Sequence, residues 1–262
     1  MFKSTGLIRR PEGVKGNIPF PYPANQLEEV AATLPAEYDT RLYGLVGTVK
    51  NQQECGSCWT FGTTVSMEGA VARANAGKFV TLSNQALVDC AWAIFQSRYG
   101  AHGCDGGSDT AAYHWIMDNG MPTQADYGDY LNKDGYCHIK NMTKLYTIKG
   151  FVDVVPNSVE ALKVAVVNHG PLTVSVNVNE LFNTTPTEFS MSKTGEYTIY
   201  IPSNPNALNH EVALVGYGEQ DGETYWILKN SWGPEWGLDG YMHISSRNNV
   251  CGVATEPTYV VI

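Results

Sequence analysis

After Leu172 the chain changes period, and that change limits what it can fold into. Leu172, Val174, Val176 and Val178 alternate with Thr173, Ser175, Asn177 and Asn179, the two-residue repeat of a half-buried strand. "HEVALVGYG", "TYWILKN" and "GYMHIS" read as further strands, separated by glycine-rich turns. Before Leu172 the repeats are helical. "CWTFGTTVSMEGAVARANAG" (58–77) sets Phe61, Val65, Ala72 and Ala76 at helix-like intervals, with Gly77 available as a stop. "TLSNQALVDC" (81–90) offers Ser83 as an N-cap, "TAAYHWIMDNG" (110–120) closes on Asn119-Gly120, and "SVEALKVAVVNHGP" (158–171) runs from Ser158 to Gly170-Pro171. A helical lobe followed by a strand-rich lobe is an α+β arrangement, and a cleft between two such lobes is a common ligand site.

Residues 1–33 stand apart. "RRPEGVKGNIPFPYPANQ" is rich in proline, glycine and polar residues without sustained periodicity, and reads as an extended arm or a processed linker. The net charge of −9 and the lack of any basic run argue against nucleic acid or an anionic membrane surface as partner. No apolar stretch approaches the roughly 18 residues of a membrane span, and the first residues lack the apolar core of a signal peptide.

Six cysteines, Cys55, Cys58, Cys90, Cys104, Cys137 and Cys251, suggest a disulfide-bearing protein of an oxidising compartment. Two glycosylation sequons, at Asn141 and Asn183, point the same way, to a lysosomal, endosomal or secreted location. Within "QQECGSCW" (52–59) the pair Cys55 and Cys58 has three readings. A redox pair needs a strand running directly into it, and residues 42–54 are polar and turn-like apart from Val46 and Val49. Zinc needs a second close pair of ligands, which the chain lacks, so no metal is expected. A nucleophilic cysteine at the start of a helix needs a histidine and an orienting amide from elsewhere in the chain, and "NHEVALVGYG" and "LKNSWGPEWG" supply His210 and Asn230.

"QQECGSCWTF", "LSNQALVDC", "GCDGG", "NHEVALVGYG" and "YWILKNSWGPEWGLDGY", in this order, resemble the signature blocks of the papain-like cysteine proteases, the cathepsins. The resemblance runs from about Leu34 to the C-terminus. It implies an arm over 1–33 and a catalytic domain over 34–262, with a helical lobe to about residue 150 and a β lobe over 151–262. It also implies that Cys58 attacks the scissile carbonyl from a thiolate–imidazolium pair with His210, that Asn230 orients the imidazole, and that Gln52 completes an oxyanion hole. Gly56, Gly106, Gly107 and the Asn209 carbonyl would meet the substrate backbone, and Trp232 and Trp236 would flank the histidine. The family pattern pairs Cys55 with Cys104 and Cys90 with Cys137, and leaves Cys251 without the partner it has in many relatives.

Ser108, Asp109, Leu208, Glu211 and Glu256 fall where the family's S2 pocket lies, and three acids there would favour basic P2 residues. Solvent-facing Asp109 and Glu211 are the plainer alternative. Between Cys104 and Cys137 there is no added histidine-bearing loop of the kind that confers exopeptidase activity, so the expectation is a cysteine endopeptidase. It would need no cofactor, act on peptide or protein substrates, and be open to cystatin-type inhibitors. The block pattern looks closest to the insect-type 26/29 kDa proteinases, whose catalytic chain has a separate N-terminal companion. Residues 1–33 are accordingly expected to be the end of a pro-region or an arm contacting a second chain. Two other readings remain open: a catalytically silent papain-like binding protein and a thiol–disulfide oxidoreductase.

Overall fold

A computed structural model describes residues 5–95, 101–178 and 207–262. The sequon at Asn183, the core of the 91–102 insertion and the first four residues of the arm lie outside the described residues. Asn141 ends a short 3-10 turn over Ile139–Asn141.

The helices form where the periodicity places them. α2 (Cys58–Ala74) is the central one, with buried residues on every side for most of its length. Helix α3 (Asn84–Phe95) starts where the Ser83 hydroxyl accepts the Ala86 N–H at 3.1 Å. Helix α4 (Asp109–Asn119) is capped the same way by Ser108, and α6 (Val159–Asn168) by Ser158. A single turn, α5 (Gln124–Tyr127), follows Thr123. The chain leaves α2 through Gly77, whose φ of +85° a side chain would oppose. The arm holds a helix that its composition does not announce, α1 (Leu27–Ala32), which packs on α6.

The strands are β1 (Tyr38–Asp39), β2 (Gly150–Asp153), β3 (Leu172–Val176), β4 (His210–Gln220), β5 (Glu223–Lys229), β6 (Tyr241–Ser245) and β7 (Thr258–Val261). Among the described residues they make one antiparallel sheet in the order β2-β7-β3-β4-β5-β6, with β1 on β4. Strand β3 was expected to be half-buried, yet all five of its residues are buried. Its nominally polar face lies under α2, where the Thr173 hydroxyl donates to the Gly62 carbonyl at 3.1 Å and bonds Tyr113. A hydroxyl that finds a buried acceptor tolerates burial, so alternation alone overstates exposure.

Two main cores result. One gathers Leu162, Val166, Leu214, Trp226, Leu228 and Met242 around the sheet and α6. The other gathers Trp59, Met67, Leu87, Trp115, Ile116 and Phe151 among α2, α3 and α4. Helix α2 packs on β4, and Cys58, its first residue, lies beside the start of that strand, with the Glu211 backbone N–H at its sulfur. Disulfides Cys55–Cys104 and Cys90–Cys137 tie the helical side together, and Cys251 is a buried free thiol.

Candidate active site

Cys58 opens α2 and has no exposed surface. The unpaired amides of a helix start favour negative charge on a group placed there, and the backbone N–H groups of Gly6, Trp59 and Glu211 bear on its sulfur. His210, the first residue of β4, is equally buried. Its Nε2 lies 2.8 Å from Asn230 Oδ1, and the same oxygen accepts the Ser231 N–H at 2.8 Å. An acceptor in that position requires the proton on Nε2, which leaves Nδ1 as the basic nitrogen; Nδ1 has no partner among the described residues. The Trp232 ring lies 4.7 Å from the imidazole and Trp236 packs edge-on against Trp232 at 5.2 Å, so the Asn230–His210 bond is shielded from water.

Gln52 is held from both ends. Its Oε1 accepts the Ser231 hydroxyl at 2.6 Å, its Nε2 donates to the Cys55 carbonyl at 2.9 Å, and its backbone N–H donates to the Ser231 carbonyl at 2.7 Å. Ser231 thus orients both Asn230 and Gln52, a role that sequence reading did not assign to it. The Cys55–Cys104 bridge and the Gly56 N–H bond to the Cys104 carbonyl, at 2.9 Å, fix the loop before Cys58.

The arm lies in this site. Gly107 donates to the Gly6 carbonyl at 2.8 Å and accepts the Ile8 N–H at 2.8 Å, a parallel pairing with Leu7, and the Asn209 carbonyl accepts the Leu7 N–H at 3.2 Å. Asn209 is itself tied to the Val178 backbone through its side chain. Side chains are excluded at two points of contact: a Cβ on Gly107 would stand 2.6 Å from the Trp59 ring, and one on Gly6 would stand 1.9 Å from the Gly56 carbonyl oxygen. Further along, Arg9 meets Glu256 at 3.3 Å and Arg10 meets Asp153 at 2.5 Å. The Gly16 N–H also reaches Asp153, at 2.9 Å. Asp153 was missed in the sequence; it sits in no motif, and only the arm's path reveals it.

Asp109 and Glu211 do not face solvent. Glu211 is wholly buried, accepts the Asp109 N–H at 3.0 Å and keeps its second oxygen without a partner among the described residues. Asp109 accepts the Thr258 hydroxyl at 2.6 Å and the Thr110 N–H at 2.6 Å. Ser108 is buried as the cap of α4, and Leu208 is buried against Gly252. Burial raises both carboxyls, Asp109 to about 6 against the Thr258 bond and the Arg10 charge, and Glu211 well above the usual carboxylate range; the Glu256 charge adds to both, and that of Asp109 to Glu211.

Burial also pushes the Cys58 thiol far up, with the Glu211 charge reinforcing it, and pushes His210 down to about 4 despite the Asn230 bond. Burial in this structure therefore favours neutral thiol and neutral imidazole over the ion pair that the resemblance implies.

Residues 34–261 match the model of the papain family of cysteine proteases. The chain is 41% identical over 231 residues to a pro-cathepsin H of Medicago truncatula, covering 87% of this chain and 62% of that one. It is 41% identical over 232 residues to a cathepsin L-like protein of Caenorhabditis elegans, covering 87% of this chain and 65% of that one. It thus spans less than two thirds of the length of either. Among solved structures, a digestive procathepsin L2 proteinase from Tenebrio molitor larval midgut superposes with a TM-score of 0.80 at 32% identity, covering 99% of this chain and 78% of that one. The ragweed pollen cysteine protease Amb a 11 in its proform superposes at 0.72 with 32% identity, covering 89% and 69%.

Proposed function

The chain belongs to the papain family of cysteine proteases, and from that membership we propose that it is a cysteine endopeptidase held inactive by its own N-terminal arm. The observation that carries this is the arm's backbone seated at Cys58, Gly107 and Asn209, beside the His210–Asn230 and Gln52–Ser231 bonds. In the uncovered site Cys58 gives its proton to His210 Nδ1, and the thiolate attacks the carbonyl carbon of the scissile bond. The resulting oxyanion takes hydrogen bonds from Gln52 Nε2 and the Cys58 N–H. The tetrahedral intermediate then collapses to a thioester, with the His210 proton passing to the departing amine. Water, deprotonated by His210, attacks the thioester and releases the acid and the Cys58 thiol.

The arm escapes this chemistry because of what it presents. Its group at the sulfur is the Gly6 N–H, a hydrogen-bond donor, and not a carbonyl carbon. Both similar solved structures are proforms by name, which supports reading residues 5–33 as part of a pro-region. The test is labelling with an epoxide-type thiol inhibitor followed by peptide mapping. Covalent label on Cys58, with loss of peptide cleavage, is the expected result; absence of label on an enzyme freed of its arm would refute the proposal. Gly6→Ala is expected to speed this labelling about 10- to 100-fold in the full chain, since overpacking of this kind costs about 1–3 kcal/mol and here falls wholly on the covered state. Equal labelling rates in the two proteins would mean that the arm does not gate Cys58.

A catalytically silent binding protein would have no need of the paired constraints on His210 and Gln52. The oxidoreductase reading is disfavoured because Cys55, its second sulfur, is bonded to Cys104. A lysosomal, endosomal or secreted setting suits the two disulfides, and cystatin-type inhibitors suit the cleft.

For specificity we propose tolerance of Arg or Lys at P2, carried by Asp109, Glu211 and Glu256. Asp109 and Glu211 are ionised only above their raised values, so the preference has a pH sign. The ratio of kcat/KM for Arg over Leu at P2 is expected to fall as pH drops through about 6. Parallel pH profiles for the two substrates, or strict rejection of Arg, would defeat this assignment.

A further inference from the structure

Asp153 ends β2 and lies directly opposite Thr258 of β7, whose hydroxyl donates to Asp109. It is thus one strand away from the acids beside the cleft, but it is not one of them. Its two oxygens are both taken by the arm: Oδ1 by Arg10 Nη1 and Oδ2 by the Gly16 N–H. Burial opposes charge on the Arg10 guanidinium, but its bond to Asp153 and the charges of Asp109, Asp153 and Glu256 together outweigh that, so the structure shows a cation already seated there.

The route to that cation can be measured along the arm. Gly6 stands at Cys58, Leu7 pairs with Gly107, and Ile8, Arg9 and Arg10 continue in the same direction. A substrate whose P1 residue meets Cys58 and whose P2 residue meets Gly107 sends P3, P4 and P5 along this same side. Arg10 is three residues beyond the one aligned with Gly107, a distance of about 10 Å at roughly 3.3 Å per residue. An extended substrate would reach the carboxylate from P5, or from P4 with a long side chain.

We propose that Asp153, once the arm has left, is a specificity determinant that selects peptides with Lys or Arg at P4 or P5. Asp153 is not one of the P2 acids, although Asp109 and Glu256 act on the same cation, and the assignment rests on the endopeptidase reading but not on the basic-P2 one. With the arm gone, Asp153 loses both of its present donors and stands partly exposed at the end of a strand. A guanidinium or ammonium group with its stem lying along the cleft wall regains what Arg10 now supplies, with the two-pronged donor geometry that favours Arg.

The experiment is competition between two peptides in one tube, identical except for Arg or Ala at P4 and P5, with P2 fixed at whichever residue cleaves best. The full chain is used, and the products are counted by mass spectrometry. Competing substrates see the same uncovered fraction of enzyme, so the product ratio reports the ratio of kcat/KM however often the arm is seated. We expect Arg to win about 3- to 10-fold in the wild type, less at high salt, and the ratio to fall to about one in Asp153→Asn. In Asp153→Arg it should reverse toward a Glu-bearing peptide. A wild-type ratio near one, or a salt-dependent preference that Asp153→Asn leaves intact, overturns the proposal. Cleavage of neither peptide by a chain whose Cys58 the epoxide-type inhibitor labels overturns the endopeptidase reading, and this site falls with it.

Discussion

Replacing Cys58 by alanine is expected to lower kcat for peptide cleavage by a factor on the order of 10⁶, and replacing His210 by alanine by nearly as much. The double replacement is expected to cost little more than either alone. The reason lies in how the two act. The thiol is a weak nucleophile until its proton moves to Nδ1, and Nδ1 is a base with no task once the thiol is gone. His210 is committed to this by its other nitrogen, because Asn230 Oδ1 holds the proton on Nε2 and is itself fixed by the Ser231 N–H. Removing either member therefore ends the same step. What remains is binding and oxyanion stabilisation, which give a residual rate above that of water. The measurement is kcat on peptide substrate for the three variants, each freed of its arm and checked for native fold. Multiplicative losses in the double variant would show that the residues act independently, and would overturn the ion-pair mechanism.

Much of this site could be read in the chain because its parts are local. Cys58 at a helix start, the caps Ser83 and Ser158, and the period change at Leu172 depend on neighbours within one turn or one strand. Physical chemistry at that range is carried by the sequence itself. What escaped depends on contacts more than a hundred residues apart. Strands β2 and β7 are four residues each, too short for a two-residue repeat to stand out, and they exist because they pair with one another. The arm gave no periodic signal at Gly6–Arg10, since its order comes from backbone pairing with Gly107 and Asn209 and from Arg9 and Arg10 reaching the distant Glu256 and Asp153. Helix α1 likewise forms on the surface of α6. The depth of Asp109 and Glu211 could not be read either. A carboxylate is ordinarily expected at the surface, and these two are kept inside by a helix-start N–H and a threonine hydroxyl that only the fold brings to them.

Gln52→Ala is expected to lower kcat about 10²- to 10³-fold while KM moves little. The size follows from preorganisation. Both ends of the side-chain amide are already occupied, by the Ser231 hydroxyl at Oε1 and the Cys55 carbonyl at Nε2, so the amide plane is set before substrate arrives. The remaining Nε2 hydrogen can face the cleft without any cost of reorientation. A donor so placed meets an oxygen that is only weakly charged in the bound peptide and fully charged in the tetrahedral intermediate. Its contribution thus falls on the chemical step and not on binding. Ser231→Ala frees one end of the amide while keeping the donor, and should give a smaller loss of the same character. Gln52→Glu puts an acceptor where the donor stood, and is expected to be at least as damaging as the alanine. Steady-state kinetics on the uncovered enzyme separate these outcomes. If Gln52→Ala raised KM and left kcat unchanged, the side chain would be a substrate-binding group and the oxyanion would have to be stabilised elsewhere.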